Sequence, residues 1–87
     1  MSDYIENSMT EALFRFGMYI KEADNAKVKI RSKEYIKALN KNIKCLKELG
    51  EPVPSIIKEF KSICNLMLES DDYIEQFRQL KLIKSEV

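Results

Sequence analysis

The chain has no histidine and no tryptophan, and among its 87 residues glycine, proline and cysteine occur only twice each. Without histidine, imidazole acid–base catalysis is excluded and the commonest metal ligand is missing. There is no CxxC pair either, so a zinc site lacks its donors. β-Hairpins need residues that accept φ > 0, and two glycines supply few of them, which makes an all-helical chain the expectation. Cys45 and Cys64 each sit in a helical apolar pattern and read as a reduced, buried pair. The chain has no Gly-rich phosphate loop and no Ser-centred elbow, and Glu6 and Glu11 are not at paired catalytic spacing. No catalytic residues, metal or cofactor are therefore expected. No apolar run approaches the roughly 18 residues of a membrane span, and no charged-then-apolar leader precedes residue 20. The expectation is a soluble intracellular protein, cytoplasmic or nuclear, with no membrane partner.

What the sequence does hold is segregated charge. Net charge is only +1, yet residues 21 to 47 carry nine of the fifteen Lys and Arg residues and three of the fourteen acids. That segment is therefore about +6 and the rest about −5. A local excess of this kind reads either as the footprint of a polyanion partner, since neutralising phosphates releases condensed counterions, or as a solvated helix face. A hydrophobic fraction of 45% with 33% charged residues is globular composition. A chain this short makes one domain and buries about 60 to 65% of its unfolded surface.

Apolar spacing divides the chain into four helices, at about 3–23, 32–49, 54–68 and 71–84. The first starts from Ser2 or Asp3 as N-cap and aligns Ile5, Met9, Ala12, Leu13, Phe16, Ile20 and Ala23. Gly17 inside it costs about 1 kcal/mol relative to alanine, which close approach of another helix would offset. Asp24, Asn25 and Ala26 read as a break. Ser32 then caps a second helix with Tyr35, Ile36, Leu39, Ile43, Leu46 and Leu49, ended by Gly50 as the C′ residue. The GEPVP turn interrupts helix at its prolines, and Pro54 suits the first turn of a third helix carrying Ile56, Ile57, Phe60, Ile63, Cys64 and Met67. Ser70, Asp71 and Asp72 supply caps for the fourth, with Asp72 and Glu75 at capping-box spacing and Tyr73, Ile74, Phe77, Leu80 and Ile83 on its apolar face.

The order of an amphipathic helix with Leu13 and Phe16, a basic KIRSKEYIKAL helix and a turn into PSIIKEF resembles the helical N-terminal domain of the family X DNA polymerases. A related domain precedes the nuclease of crossover-junction endonucleases. Tyr35, Lys37, Ala38 and Leu39 match the aromatic-then-basic pattern of that family's second helix. Leu46, Leu49, Ile56 and Phe60 stand where its helix-hairpin-helix has apolar positions. The resemblance covers about residues 10 to 65 and implies a helix-hairpin-helix-like fold that binds DNA. The turn departs from the pattern: Gly50 is followed by Glu51, Pro52, Val53 and Pro54, so two N–H donors are missing and an acid is added where a phosphate would sit. The lyase lysine of the polymerases would fall near Ser55 or Glu59. Lys58 and Lys61 are neighbours out of register, and the lyase activity is not carried over.

The candidate nucleic-acid residues are Lys33, Lys37, Lys41 and Lys44, spaced by four, four and three along one helix line, with Lys29 and Arg31 extending it. Their mutual repulsion amounts to a few tenths of a kcal/mol per pair. The line reads as a contact to DNA phosphates without base readout, as a solvated face, or as a surface for an acidic protein. Tyr35 could stack on a base, or belong to the core. The acids Glu69, Asp71, Asp72 and Glu75 lack calcium-loop spacing and are explained by capping. A competing function is a protein–protein adaptor or regulator, of viral or phage type, or a homodimeric or larger helical bundle. Its apolar surplus is Phe14, Met18, Tyr19, Leu66, Leu68 and Leu82, with the first five as the partner surface.

Overall fold

Regular apolar spacing decides how α1 (Ser2–Glu22) packs: Phe16 and Ile20 are sealed from solvent, and Met9, Ala12, Leu13 and Ala23 pack around them. The computed structural model describes residues 2–86, with side chains described for residue 4 and residues 6–79. The expected roles of Ser2, Asp3, Ile5, Leu80, Leu82 and Ile83 fall on side chains outside that set. Three further helices follow, α2 (Asn25–Glu48), α3 (Ser55–Glu69) and α4 (Asp71–Glu86), and the architecture is all-α in a single small domain.

The second helix starts seven residues earlier than its apolar spacing suggested. Asp24 is extended and its Oδ1 accepts the Lys27 N–H at 2.9 Å, which makes it the N-cap. Ser32, expected to cap, lies fully buried inside the helix and donates its hydroxyl to the Val28 carbonyl at 2.8 Å. The buried face therefore runs Val28, Ser32, Leu39 and Leu46. A polar residue at a core position masked the continuity, and the intrahelical hydrogen bond makes its burial tolerable. Where α2 ends, Gly50 adopts φ +73°, its N–H donates to Lys47 O at 3.1 Å and the Glu51 N–H to Leu46 O at 2.9 Å. This is a Schellman motif, the role assigned to Gly50 as C′. Leu49, expected on the apolar stripe, is instead 68% exposed at the C-cap.

Pro54 is the extended N-cap of α3 rather than part of its first turn. Ser70 is extended too, so it ends α3 and starts α4, and its Oγ accepts the Asp72 N–H at 3.1 Å. The expected Asp72–Glu75 pairing does not operate as a capping box, since Ser70 occupies the cap and Glu75 binds Arg78. α3 packs on all three other helices, most broadly on α2. Phe16, Tyr35 and Phe60, one from each of α1, α2 and α3, meet with ring centroids 4.9 to 5.8 Å apart. Tyr35 is thus a core ring. The thinnest dimension is 14 Å, little more than one interhelix spacing of about 8–10 Å, so every helix keeps a wide outer face.

One long-range tie was not legible in the sequence. The Arg78 guanidinium on α4 donates to Ile20 O at 2.7 Å and Ala23 O at 2.6 Å, and pairs with Glu75 at 2.6 Å. It thereby satisfies carbonyls left open at the end of α1 and places a cation at that helix's negative end. Arg78→Met should lower stability by about 2–3 kcal/mol, and Arg78→Lys should recover only part of it because an ammonium cannot fork to two carbonyls. Urea denaturation of the three proteins measures both differences.

The two cysteines part company. Cys64 is buried and Cys45 is exposed, which corrects the expectation of a buried pair; both are free thiols. Burial pushes the Cys64 thiol up to about 12 from an ordinary 9.0. The unfolded chain would ionise that thiol at the lower pH, so its contribution to stability is complete below about pH 9 and is lost as pH rises towards 12. At neutral pH a thiol reagent should label Cys45 rapidly and Cys64 only after unfolding. Equal rates at the two sites would contradict this packing.

Candidate functional site

α2 presents its basic side chains because its apolar ones have already chosen the opposite side. At about 100° per residue, Val28, Leu39 and Leu46 fix the core direction and Lys33, Lys37, Lys41 and Lys44 cluster about half a turn away. All four are exposed. None forms an ion pair among the described residues. From Lys33 to Lys44 the line is about 16 Å long at the helical rise. Beside its first two members an open depression of about 390 Å³ is lined by Lys33, Lys37 and Asn40, with Glu34 and Ile36.

The two residues expected to extend the line behave differently from the four. Lys29 is one turn before Lys33 on the same side, and its ammonium meets the Asp71 carboxylate of α4 at 2.6 Å. A hydrogen bond from Lys29 and the Lys29 charge lower the Asp71 pKa against the opposing effect of desolvation, with a hydrogen bond from Asn25 adding to the lowering. This pair lies at the surface, so its weight is small and disappears as acid protonates Asp71. Arg31 does not extend the line. Because the helix is already formed there, two residues of rotation carry Arg31 about 200° away from Lys33. It lies over the Tyr19 ring, 4.7 Å from the centroid, and contacts Glu34 at 3.2 Å.

The chain matches no family model, no curated protein and no solved structure. The site therefore rests on its own geometry. Among the described residues no group of three or more Cys, Asp or Glu side chains is placed to hold a metal ion. Of the acids near the start of α4, Asp71 is paired with Lys29 and Glu75 with Arg78. Among the described residues no helix is long and apolar enough to cross a membrane.

The expected partner surface is divided. Phe14, Met18 and Leu66 are 60%, 50% and 41% exposed, whereas Leu68 is half-buried and Tyr19 is half-buried beneath Arg31. A separate apolar groove of about 230 Å³ lies between α1 and α2, lined by Tyr4, Met9, Leu46 and Leu49 beside Cys45. Periodicity alone does not reveal it, because the spacing of Leu49 puts it on the core stripe while the structure leaves it exposed. Also unassigned by the sequence is a lysine-lined cleft between α2 and α3, formed by Lys47, Lys58 and Lys61. The signal available for it was the spacing of three between Lys58 and Lys61, but only packing brings Lys47 to them.

Proposed function

We propose that this protein is a small non-catalytic module that contacts the phosphate backbone of DNA through the outer face of α2. The observation that carries the reading is the run Lys33, Lys37, Lys41 and Lys44, exposed, directed away from the core and without ion pairs among the described residues. Protein carboxylates take up Lys29 and Arg31, while these four ammonium groups keep their full hydrogen-bonding capacity for a polyanion. Along about 16 Å of axis one strand offers about five phosphates, enough for four point-charge contacts. Lysine contacts to phosphate fix position and carry no base information, so binding is independent of sequence. The resemblance to helix-hairpin-helix domains belongs to this reading as a proposal for the α2–turn–α3 unit. The turn itself contributes little, because the Gly50 and Glu51 amides are committed to α2 carbonyls.

Gel-shift titrations with single-stranded, duplex and gapped DNA at two salt concentrations test it. Affinity should fall steeply with salt and vary little between unrelated sequences; affinity indifferent to salt would refute it. The second reading, a protein adaptor or homodimer, is favoured by the α1–α2 groove with Tyr4, Met9 and Leu49. Its discriminator is mass in solution: a dimer dispersed by Leu49→Asp would support it, and a strict monomer that captures no protein would count against it.

A further inference from the structure

Apart from the α2 line, the strongest concentration of positive charge is concave. A cleft of about 460 Å³ between α2 and α3 is lined by Lys47 from the last turn of α2 and by Lys58, Lys61, Ser62 and Asn65 from α3, with Ile43 and Val53 as its apolar members. Among the described residues no carboxylate lines it. Among the described residues none of the three lysines forms an ion pair. Lys61 is half-buried, so its stem packs along the cleft, and no acid pairs with it among the described residues.

Helix architecture does not call for this arrangement. Lys47 is favourable at the C-terminal end of α2, but Lys58 lies in the first turn of α3, where a cation opposes the helix dipole and no acid offsets it. Lys58 and Lys61 also repel one another at a spacing of three. Three lysines from two helices thus line one cleft together with a serine and an asparagine, whose side chains can donate hydrogen bonds to the oxygens of an anion. A phosphodiester would bring one negative charge to three positive ones; a chain of phosphates brings several within the same volume.

We propose that this cleft is an anion-binding site, separate from the α2 line, for a phosphate chain carrying two or more negative charges. Inorganic pyrophosphate is the simplest example, and the phosphate tail of a nucleoside triphosphate is the second source of the same chemistry. Lys47, Lys58 and Lys61 supply the charge, and Ser62 and Asn65 supply directed donors. The apolar Ile43 and Val53 limit the water that competes for them.

Calorimetric titration of the full chain with inorganic pyrophosphate at low salt tests the proposal. The expected result is saturable one-to-one binding, weakened about tenfold or more by either Lys58→Gln or Lys61→Gln. Lys33→Gln and Lys37→Gln, on the α2 line, should leave pyrophosphate affinity within about twofold while weakening DNA binding, which separates the two sites. Adenosine triphosphate binding as tightly as pyrophosphate would support recognition of the phosphate chain alone, and tighter binding would support a nucleotide as the source. Absence of saturable pyrophosphate binding, or equal losses from all four substitutions, would overturn the proposal. Because Lys58 is exposed, its glutamine variant keeps the test valid if Lys61→Gln fails to fold.

Discussion

Phe60→Ala should lower the unfolding free energy by about 3–5 kcal/mol. For 87 residues the whole stability is about 4–13 kcal/mol, so the variant would lose from about a quarter of it to all of it. The size of the effect follows from position. Phe60 is fully buried on α3, the helix that packs on all three others, and its ring meets Phe16 of α1 at 5.8 Å and Tyr35 of α2 at 4.9 Å. Removing it opens a cavity at the meeting point of three helices and breaks both ring contacts. Phe60→Leu, which keeps most of the volume, should cost less, about 1–1.5 kcal/mol. Denaturant unfolding followed by circular dichroism gives both values, and a loss below about 1 kcal/mol for alanine would mean that this trio does not organise the core.

The double reversal Lys37→Glu with Lys41→Glu should weaken DNA binding by about 100-fold or more at low salt. A lysine beside an anionic surface is worth about 1 kcal/mol, and each substitution removes one attraction and introduces a repulsion. Both side chains are exposed on the face opposite the core, so the fold should be untouched. The control is Lys21→Glu with Lys27→Glu, which changes net charge equally from exposed positions off the line and should cost less than about tenfold. Equal losses in the two variants would mean that DNA senses overall charge rather than this face.

The helical architecture was legible because each helix repeats its apolar residues on one side, and the turns are marked by Gly50, Pro54 and Ser70. The start of α2 was not, because Ser32 occupies a core position and looks like a cap until its hydrogen bond to Val28 is seen. The position of Arg31 depends on the same point: only with helix before residue 32 does it turn away from Lys33 to lie over Tyr19. The four lysines were legible since their alignment depends only on helical period. Features that join residues distant in sequence were not. Arg78 bonds carbonyls 55 and 58 residues away, and the lysine cleft exists only because α2 and α3 pack together. No local pattern encodes either.

The proposed neutralisation of DNA phosphates by four lysines on one helix face has a numerical signature. If each of the four engages one phosphate, the logarithm of the binding constant for duplex DNA should fall against the logarithm of salt concentration with a slope of about −3.6. Between about 50 and 200 mM salt that is a loss of about 150-fold. Fluorescence anisotropy with a labelled duplex measures the slope for the native chain and for the Lys37→Glu, Lys41→Glu variant. A slope near −3.6 that falls by half or more in the variant supports phosphate contact by these four lysines; a slope near zero, or one the variant leaves unchanged, contradicts it.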